Sequence, residues 1–154
     1  MNIIYTKEQI ATIANELGIS KSDVNSILGS YSGYLQTKIL EGKTVKILNI
    51  CYLKNNNENL DICNAYRETL AYVATELSEM IGIGSITIQR VLSTLEDFIV
   101  ADIKNGKGYS LRGLVRIRCN DDGKVRIKKS TKWNGEPINV VTLHSFKRRI
   151  ENAG

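Results

Sequence analysis

The sequence predicts an α+β fold made of two copies of one helix–helix–β-hairpin unit, followed by a single C-terminal strand and helix. Seven apolar pairs recur at an offset of 64 positions, with the spacing of one helix face. Gly18 recurs as Gly82 and Gly42 as Gly106 at the same offset. Each helical stretch is followed by a short β-pattern with turn residues. The two predicted domains are therefore residues 1–64 and 65–154.

The helices follow from apolar periodicity and from residues that begin or end helices. Thr6 is a plausible N-cap for the first helix, and residues 20–23 open the second. Gly18 stands where a left-handed residue closes a helix. The helices are predicted over residues 6–17, 20–40, 65–81 and 85–104.

The β-segments follow the helices. In copy one, we expect a strand over 44–53, a turn through 55–59 and a return strand at 60–63. In copy two, residues 109–119 lead to the turn at 120–123 (sequence NDDG), which is a strong hairpin signal. The return strand covers 124–128. Alternation places basic residues on one face of this hairpin, namely Arg116, Arg118, Lys124, Arg126 and Lys128.

Composition argues against several classes of function. The 154 residues are 42% hydrophobic and 24% charged, which is typical of a folded, soluble protein. No apolar run approaches the roughly 18 residues of a membrane span, and the N-terminus does not resemble a signal peptide. The three cysteines and the single His144 lack the spacing of a metal or catalytic site. We therefore expect no enzyme, no metal, no cofactor, no small-molecule substrate and no membrane partner.

The charge is unevenly distributed. The net charge of +5 lies wholly in residues 65–154, because residues 1–64 carry six basic and six acidic side chains. Such a basic stripe attracts polyanions, with nucleic acid the first candidate, whereas the alternative is a solvated lysine-rich strand face. Trp133 could stack on bases or serve as a packing aromatic. The candidate binding residues for nucleic acid or an acidic partner are Arg112, Arg116, Arg118, Lys124, Arg126, Lys128, Lys129, Lys132 and Trp133.

Several segments resemble the HU/IHF family of bacterial architectural DNA-binding proteins. They read ELGISKSD at 16–23, EGKTVKI at 41–47, NGKG at 105–108, LRGL at 111–114 and HSFK at 144–147. Members of that family dimerise, so the resemblance implies a tandem HU/IHF-like fold in which two fused copies form an intrachain pseudo-dimer.

The chain departs from this family in its arms. Family members extend a long basic β-arm, with a proline at the tip that wedges between base pairs. Only residues 55–59 separate the predicted strands of copy one, and copy two turns at 120–123. An alternative alignment places residues 132–136 at an arm tip. That tip lacks the wedge proline, because Pro137 follows the turn. We therefore expect shortened arms.

Two functions remain open at this point. Similar HU/IHF-like proteins are encoded among the virion genes of tailed, crAss-like bacteriophages. This implies a structural protein of a neck or tail ring at the head–tail connection, which associates with itself and with other virion proteins and is assembled in the host cytoplasm. The alternative is an architectural protein of the bacterial cytoplasm or nucleoid, which contacts double-stranded DNA phosphates through the basic hairpin.

Overall fold

The computed structural model describes residues 7–55, 69–111, 115–129 and 138–151. Within these ranges the fold is α+β, with five helices and two antiparallel three-stranded sheets. The elements in chain order are α1 (Lys7–Leu17), α2 (Lys21–Leu40), β1 (Val45–Ile47), β2 (Cys51–Asn55), α3 (Leu70–Ile81), α4 (Ser85–Lys104), β3 (Tyr109–Leu111), β4 (Val115–Cys119), β5 (Val125–Lys129), β6 (Ile138–Thr142) and α5 (His144–Glu151).

The repeat in the sequence is also a repeat of secondary structure. Helices α2 and α4 are both 20 residues long and begin 64 positions apart. The strand pairs β1–β2 and β3–β4 keep the same offset, and Val45 opposite Leu53 corresponds in register to Tyr109 opposite Ile117. Each half of the chain therefore contributes one helix–helix–hairpin unit, called unit 1 and unit 2 below.

The helix ends follow local sequence. Ser20 caps α2, because its hydroxyl accepts the Asp23 N–H at 3.0 Å. Gly18 and Gly82 have φ of +68° and +73°, the left-handed conformation in which glycine is favoured at a helix end. The predicted cap Thr6 and residues 65–68 of the predicted third helix lie outside the described residues.

The prediction of one strand over 44–53 was wrong, because a tight turn at 48–50 divides it into β1 and β2. Leu48 adopts a φ of +47°, which is uncommon for a residue with a side chain. Its N–H donates to the hydroxyl of Tyr31 at 2.8 Å, so helix α2 helps to hold the turn. Strand β2 continues through Asn55. Most of the turn predicted at 55–59, and the strand at 60–63, lie outside the described residues.

The C-terminal tail completes the sheet of unit 1. Strand β6 pairs with β2, from Cys51 opposite Thr142 to Asn55 opposite Ile138. In unit 2 the equivalent place beside β4 is taken by β5, with Val115 opposite Lys129. Sheet 1 therefore has the order β1-β2-β6 and sheet 2 the order β3-β4-β5. Both strands of the hairpin in sheet 2 are close in sequence, whereas β2 and β6 of sheet 1 flank the whole of unit 2.

The two units bury their apolar side chains in one continuous cluster. Helix α1 packs against α2 and α4, and α3 packs against α4 and α2. Phe146 and Ile150 of α5 belong to the same cluster as Ile27 of unit 1 and Ile99 of unit 2. Strand β5 also contacts β6. The described parts of the units therefore share a hydrophobic core. None of the described helices has the length and hydropathy that crossing a bilayer requires.

Candidate nucleic-acid or acidic-partner interface

One face of sheet 2 points to solvent and is strongly basic. Val115, Ile117 and Val125 alternate into the core and are buried. The residues between them are exposed, as period-2 alternation predicts. This surface is called the basic face, and it consists of Arg116, Arg118, Arg126 and Lys128.

Strand register places these cations directly opposite one another. Arg116 faces Lys128, and Arg118 faces Arg126. Directly opposed residues on one sheet face have Cβ atoms about 4.5–5.5 Å apart, and like charges at that distance destabilise the pair. The basic face therefore raises the free energy of the folded chain until an anion covers it.

Little within the described residues neutralises this face. Arg126 lies 3.8 Å from Asp122 in an exposed pair, and such pairs contribute roughly 0–1 kcal/mol. Across the described ranges, Arg116, Arg118 and Lys128 have no carboxylate oxygen within 4.0 Å. These three side chains are available to an external anion.

Strand β3 gives the basic face a low border. Ser110 lies opposite Arg116, and Gly108 lies beside Arg118. A Cβ on Gly108 would come within 3.7 Å of Arg118 Cγ, which is ordinary van der Waals contact. Both border residues, Ser110 of β3 and Gly108 just before it, are small.

The remaining predicted residues are placed differently. Lys129 is exposed but lies opposite Val115, so its side chain belongs to the other face of the sheet, at the end of β5. Lys124 lies 3.7 Å from Glu151 of α5, next to the turn. Arg112, Lys132 and Trp133 are outside the described residues.

Unit 1 lacks an equivalent face. The positions that correspond to Arg116, Arg118, Arg126 and Lys128 are occupied in sheet 1 by Tyr52, Lys54, Asn139 and Val141. Tyr52 is buried and Lys54 is half-buried. Within the described residues, sheet 2 therefore has a basic face and sheet 1 has none.

The turn between β4 and β5 is as predicted. Asn120 N–H donates to the Lys124 carbonyl and Gly123 N–H to the Asn120 carbonyl, both at 2.9 Å. Asp122 accepts the Lys124 N–H at 2.9 Å, which is a typical turn-stabilising bond. Among the described residues, no three His, Cys, Asp or Glu side chains lie close enough together to bind a metal ion.

A buried carboxylate links unit 1, α4 and α5. Glu96 is only 5% exposed; its Oε1 accepts the Asn49 N–H at 2.7 Å, and its Oε2 accepts Arg149 Nη1 at 2.6 Å. Asp97 binds Nη2 of the same guanidinium at 2.8 Å. Glu96 and Asp97 are adjacent in α4, and both reach the guanidinium group of Arg149. The signal in the sequence was a glutamate within the apolar stripe of α4, since a buried charge requires a partner.

Cys51 is a poor nucleophile because of its position. Burial raises the pKa of Cys51 to about 12, so its thiol stays protonated near neutral pH. Cys119 is half-buried at the end of β4.

Comparison of the chain with protein-family models, curated proteins and solved structures found no match.

Proposed function

We propose that the chain is a non-enzymatic structural protein built on a tandem HU/IHF-like fold, which assembles into a neck or tail ring at the head–tail connection of a bacteriophage virion. Its partners are further copies of itself and other virion proteins. The shared order and register of the two units support an intrachain pseudo-dimer. A single unit of roughly 60 residues would be only marginally stable alone, which also favours the fused arrangement.

The observation that carries this proposal is how the strands β4 and β5, and the strands β2 and β6, are connected along the chain. In unit 2, β4 and β5 are joined by the tight turn at 120–123, where the HU/IHF family would extend an arm. In unit 1, the strands β2 and β6 are joined by residues 56–137, which include all of unit 2. Among the described residues, unit 2 has a tight turn where the family would have an arm, and the connection from β2 to β6 contains unit 2, which favours a structural block.

Exposed apolar side chains support association. Ile86 is 75% exposed and Met80 67% exposed, although large apolar side chains are usually buried. Ile86 and Leu17 line an open groove between α1 and α4, bordered by Arg90. Apolar surface rimmed by polar residues is typical of protein–protein contacts.

Self-association is tested by light scattering and negative-stain microscopy of the purified chain over a wide range of concentrations. We expect the mass to rise above 17.2 kDa and closed rings to form. A mass that stays at the monomer value at every concentration would contradict a self-assembling ring.

The second candidate is binding of double-stranded DNA, favoured by the two opposed cation pairs of the basic face. Arginine and lysine at that spacing would contact phosphates, which fixes position without reading sequence. The contact would be one-sided, because sheet 1 has no basic face.

DNA binding is tested by gel shift at about 50 and about 200 mM salt, since four phosphate contacts give a log–log salt slope of roughly −3 to −4. The variant R116E/R118E should bind at least tenfold more weakly. The control K7E/K21E makes the same change in net charge at exposed sites of unit 1 and should bind almost normally. The absence of any shift at the lower salt would rule out this candidate.

A further inference from the structure

We infer that the basic face of one copy binds an exposed stripe of helix α3 on a second copy, so that copies join through two different surfaces. This inference rests on the proposed self-assembly and names the two surfaces that form the contact. The stripe, called the α3 stripe, consists of Tyr72, Glu76, Glu79 and Met80.

The α3 stripe is acidic and partly apolar. Tyr72, Glu76 and Glu79 are spaced four and three residues apart, so they lie along one side of the helix, and Met80 lies at the edge of that side, next to the buried residues. All four are exposed, Tyr72 by 47%. Helix α3 contains no lysine or arginine, and no cation in the described ranges pairs with Glu76 or Glu79. The stripe therefore presents two uncompensated carboxylates between two exposed apolar side chains.

The two surfaces belong to different elements of unit 2. Helix α3 packs against α4, and α4 in turn packs against β3 and β4. The basic face is the exposed side of sheet 2, and the α3 stripe is exposed on helix α3. A contact between two different surfaces of one protein is heterologous, and it repeats from copy to copy until a ring closes or a filament grows.

The two surfaces also match in chemistry and in size. Glu76 and Glu79 are separated by a helical rise of about 4.5 Å, and Arg116 and Arg118 by a strand rise of about 6.7 Å. Two carboxylates therefore fit among four cations within the reach of their flexible stems. Guanidinium groups bind carboxylates in a bidentate manner and stack on aromatic rings such as that of Tyr72. The contact would relieve the repulsion within the basic face.

Among the described residues, both halves of the contact occur in unit 2 and neither occurs in unit 1. At the α1 positions that correspond to the α3 stripe stand Glu8, Thr12, Asn15 and Glu16, without an exposed aromatic or methionine. Sheet 1 has no basic face, as described above. Each chain therefore offers one donor and one acceptor surface, which gives a linear or cyclic assembly without branching.

Charge reversal on each surface tests the contact. In E76K/E79K both surfaces are basic, and in R116E/R118E the basic face holds two carboxylates and two cations and so loses its net charge. We therefore expect each variant alone to associate at least tenfold more weakly than the wild type. An equimolar mixture of the two restores one wild-type contact, between the basic face of E76K/E79K and the α3 stripe of R116E/R118E, and should form mixed dimers. In R116E/R118E the new glutamates face Lys128 and Arg126, so the sheet is not weakened.

Sedimentation velocity at low and high salt measures association, because contacts between exposed charges weaken as salt rises. The controls E8K/E16K and K7E/K21E carry matched changes in net charge on unit 1 and should associate normally. If the wild type never associates, the proposed function and this contact both fail. If the wild type and E76K/E79K associate equally, the contact is wrong and self-assembly stands. If R116E/R118E assembles normally but no longer binds DNA, the basic face serves DNA and the inference is overturned.

Discussion

Arg149 Nη1 lies 2.6 Å from Glu96 Oε2, and this ion pair fastens the C-terminal helix to the middle of α4. The other oxygen of Glu96 accepts the backbone N–H of Asn49, in the turn between β1 and β2. Three segments far apart in sequence therefore converge on one buried carboxylate. Such a group stabilises the fold only while its partners are present.

We expect Arg149→Ala to lower the free energy of unfolding by about 2 kcal/mol, because Glu96 would remain buried with a single hydrogen bond. This value is below the range for fully buried pairs because the Arg149 side chain is 38% exposed. Urea denaturation measures the change. Arg148→Ala, at the exposed neighbouring position, is the control and should shift the free energy by less than about 0.5 kcal/mol. Equal midpoints for both variants would contradict the structural role of Glu96.

The pairing of β2 with β6 predicts a specific disulfide. Cys51 lies opposite Thr142, and opposed residues in antiparallel strands have Cα atoms about 4.5–5.5 Å apart, within the range that a disulfide bridges. In a chain whose other cysteines are serine, Thr142→Cys should form a bond with Cys51 when oxidised during refolding. Refolding is needed because burial raises the pKa of the native Cys51 thiol to about 12. Peptide mapping without reductant detects the bond. Val141→Cys lies opposite Tyr52 and should form none; a bond there would contradict the register.

Repulsion within the basic face predicts a stabilising substitution. Arg118→Glu places a carboxylate opposite Arg126 and should raise the free energy of unfolding by roughly 0.5 kcal/mol, the typical size of a cross-strand charge effect. Arg118→Gln removes the repulsion without adding attraction and should give a smaller gain. Thermal and urea denaturation at low salt measure both. A loss of stability in Arg118→Glu would show that the opposed cations do not repel in the folded chain.

Glu151 predicts a pH dependence. The Val125 N–H donates to Glu151 Oε2 at 2.9 Å, and this bond, together with Lys124 and Lys147 nearby, lowers the pKa of Glu151 from its ordinary 4.5. A lowered pKa in the folded state means that the stabilisation is complete above the ordinary value and is lost as the pH falls through the folded-state value. The wild type should therefore exceed Glu151→Gln in stability at neutral pH, and the gap should shrink in acid. Urea midpoints across that pH range test this, and a constant gap would contradict it.

Much of the secondary structure was predictable because it is encoded locally. The offset of 64 predicted α2, α4 and the glycines that end α1 and α3, since apolar spacing and left-handed residues act within a few positions. The turn at 120–123 was predictable for the same reason. The turn at Leu48 was not, because residues 47–50 contain no glycine or proline and Asn49 is their one polar residue. Tyr31 and Glu96, from distant helices, hold it in place.

The sequence predicted which side chains share one face of the candidate site, but it did not predict which strands lie next to one another. Period-2 alternation correctly placed Arg116, Arg118, Arg126 and Lys128 on one surface, whereas Lys129 follows Lys128 directly and so turns to the other. Which strand completes sheet 1 could not be foreseen, because a single tail strand carries no signal that names its neighbour. Local patterns set which way a side chain points, and tertiary packing sets what lies beside it.

The pairing of β2 with β6 also sets the order in which the chain is completed during synthesis. Residues 70–129 form unit 2 from neighbouring segments, so its sheet can close soon after it leaves the ribosome. Strand β2 emerges earlier, but its edge stays open until residues 138–142 are translated, roughly 4–17 s later at common elongation rates. An open strand edge is a template for unwanted pairing, so the nascent chain is most prone to aggregation in this interval. Sheet 1, whose strands β1 and β2 are synthesised first, is therefore the last sheet to be completed.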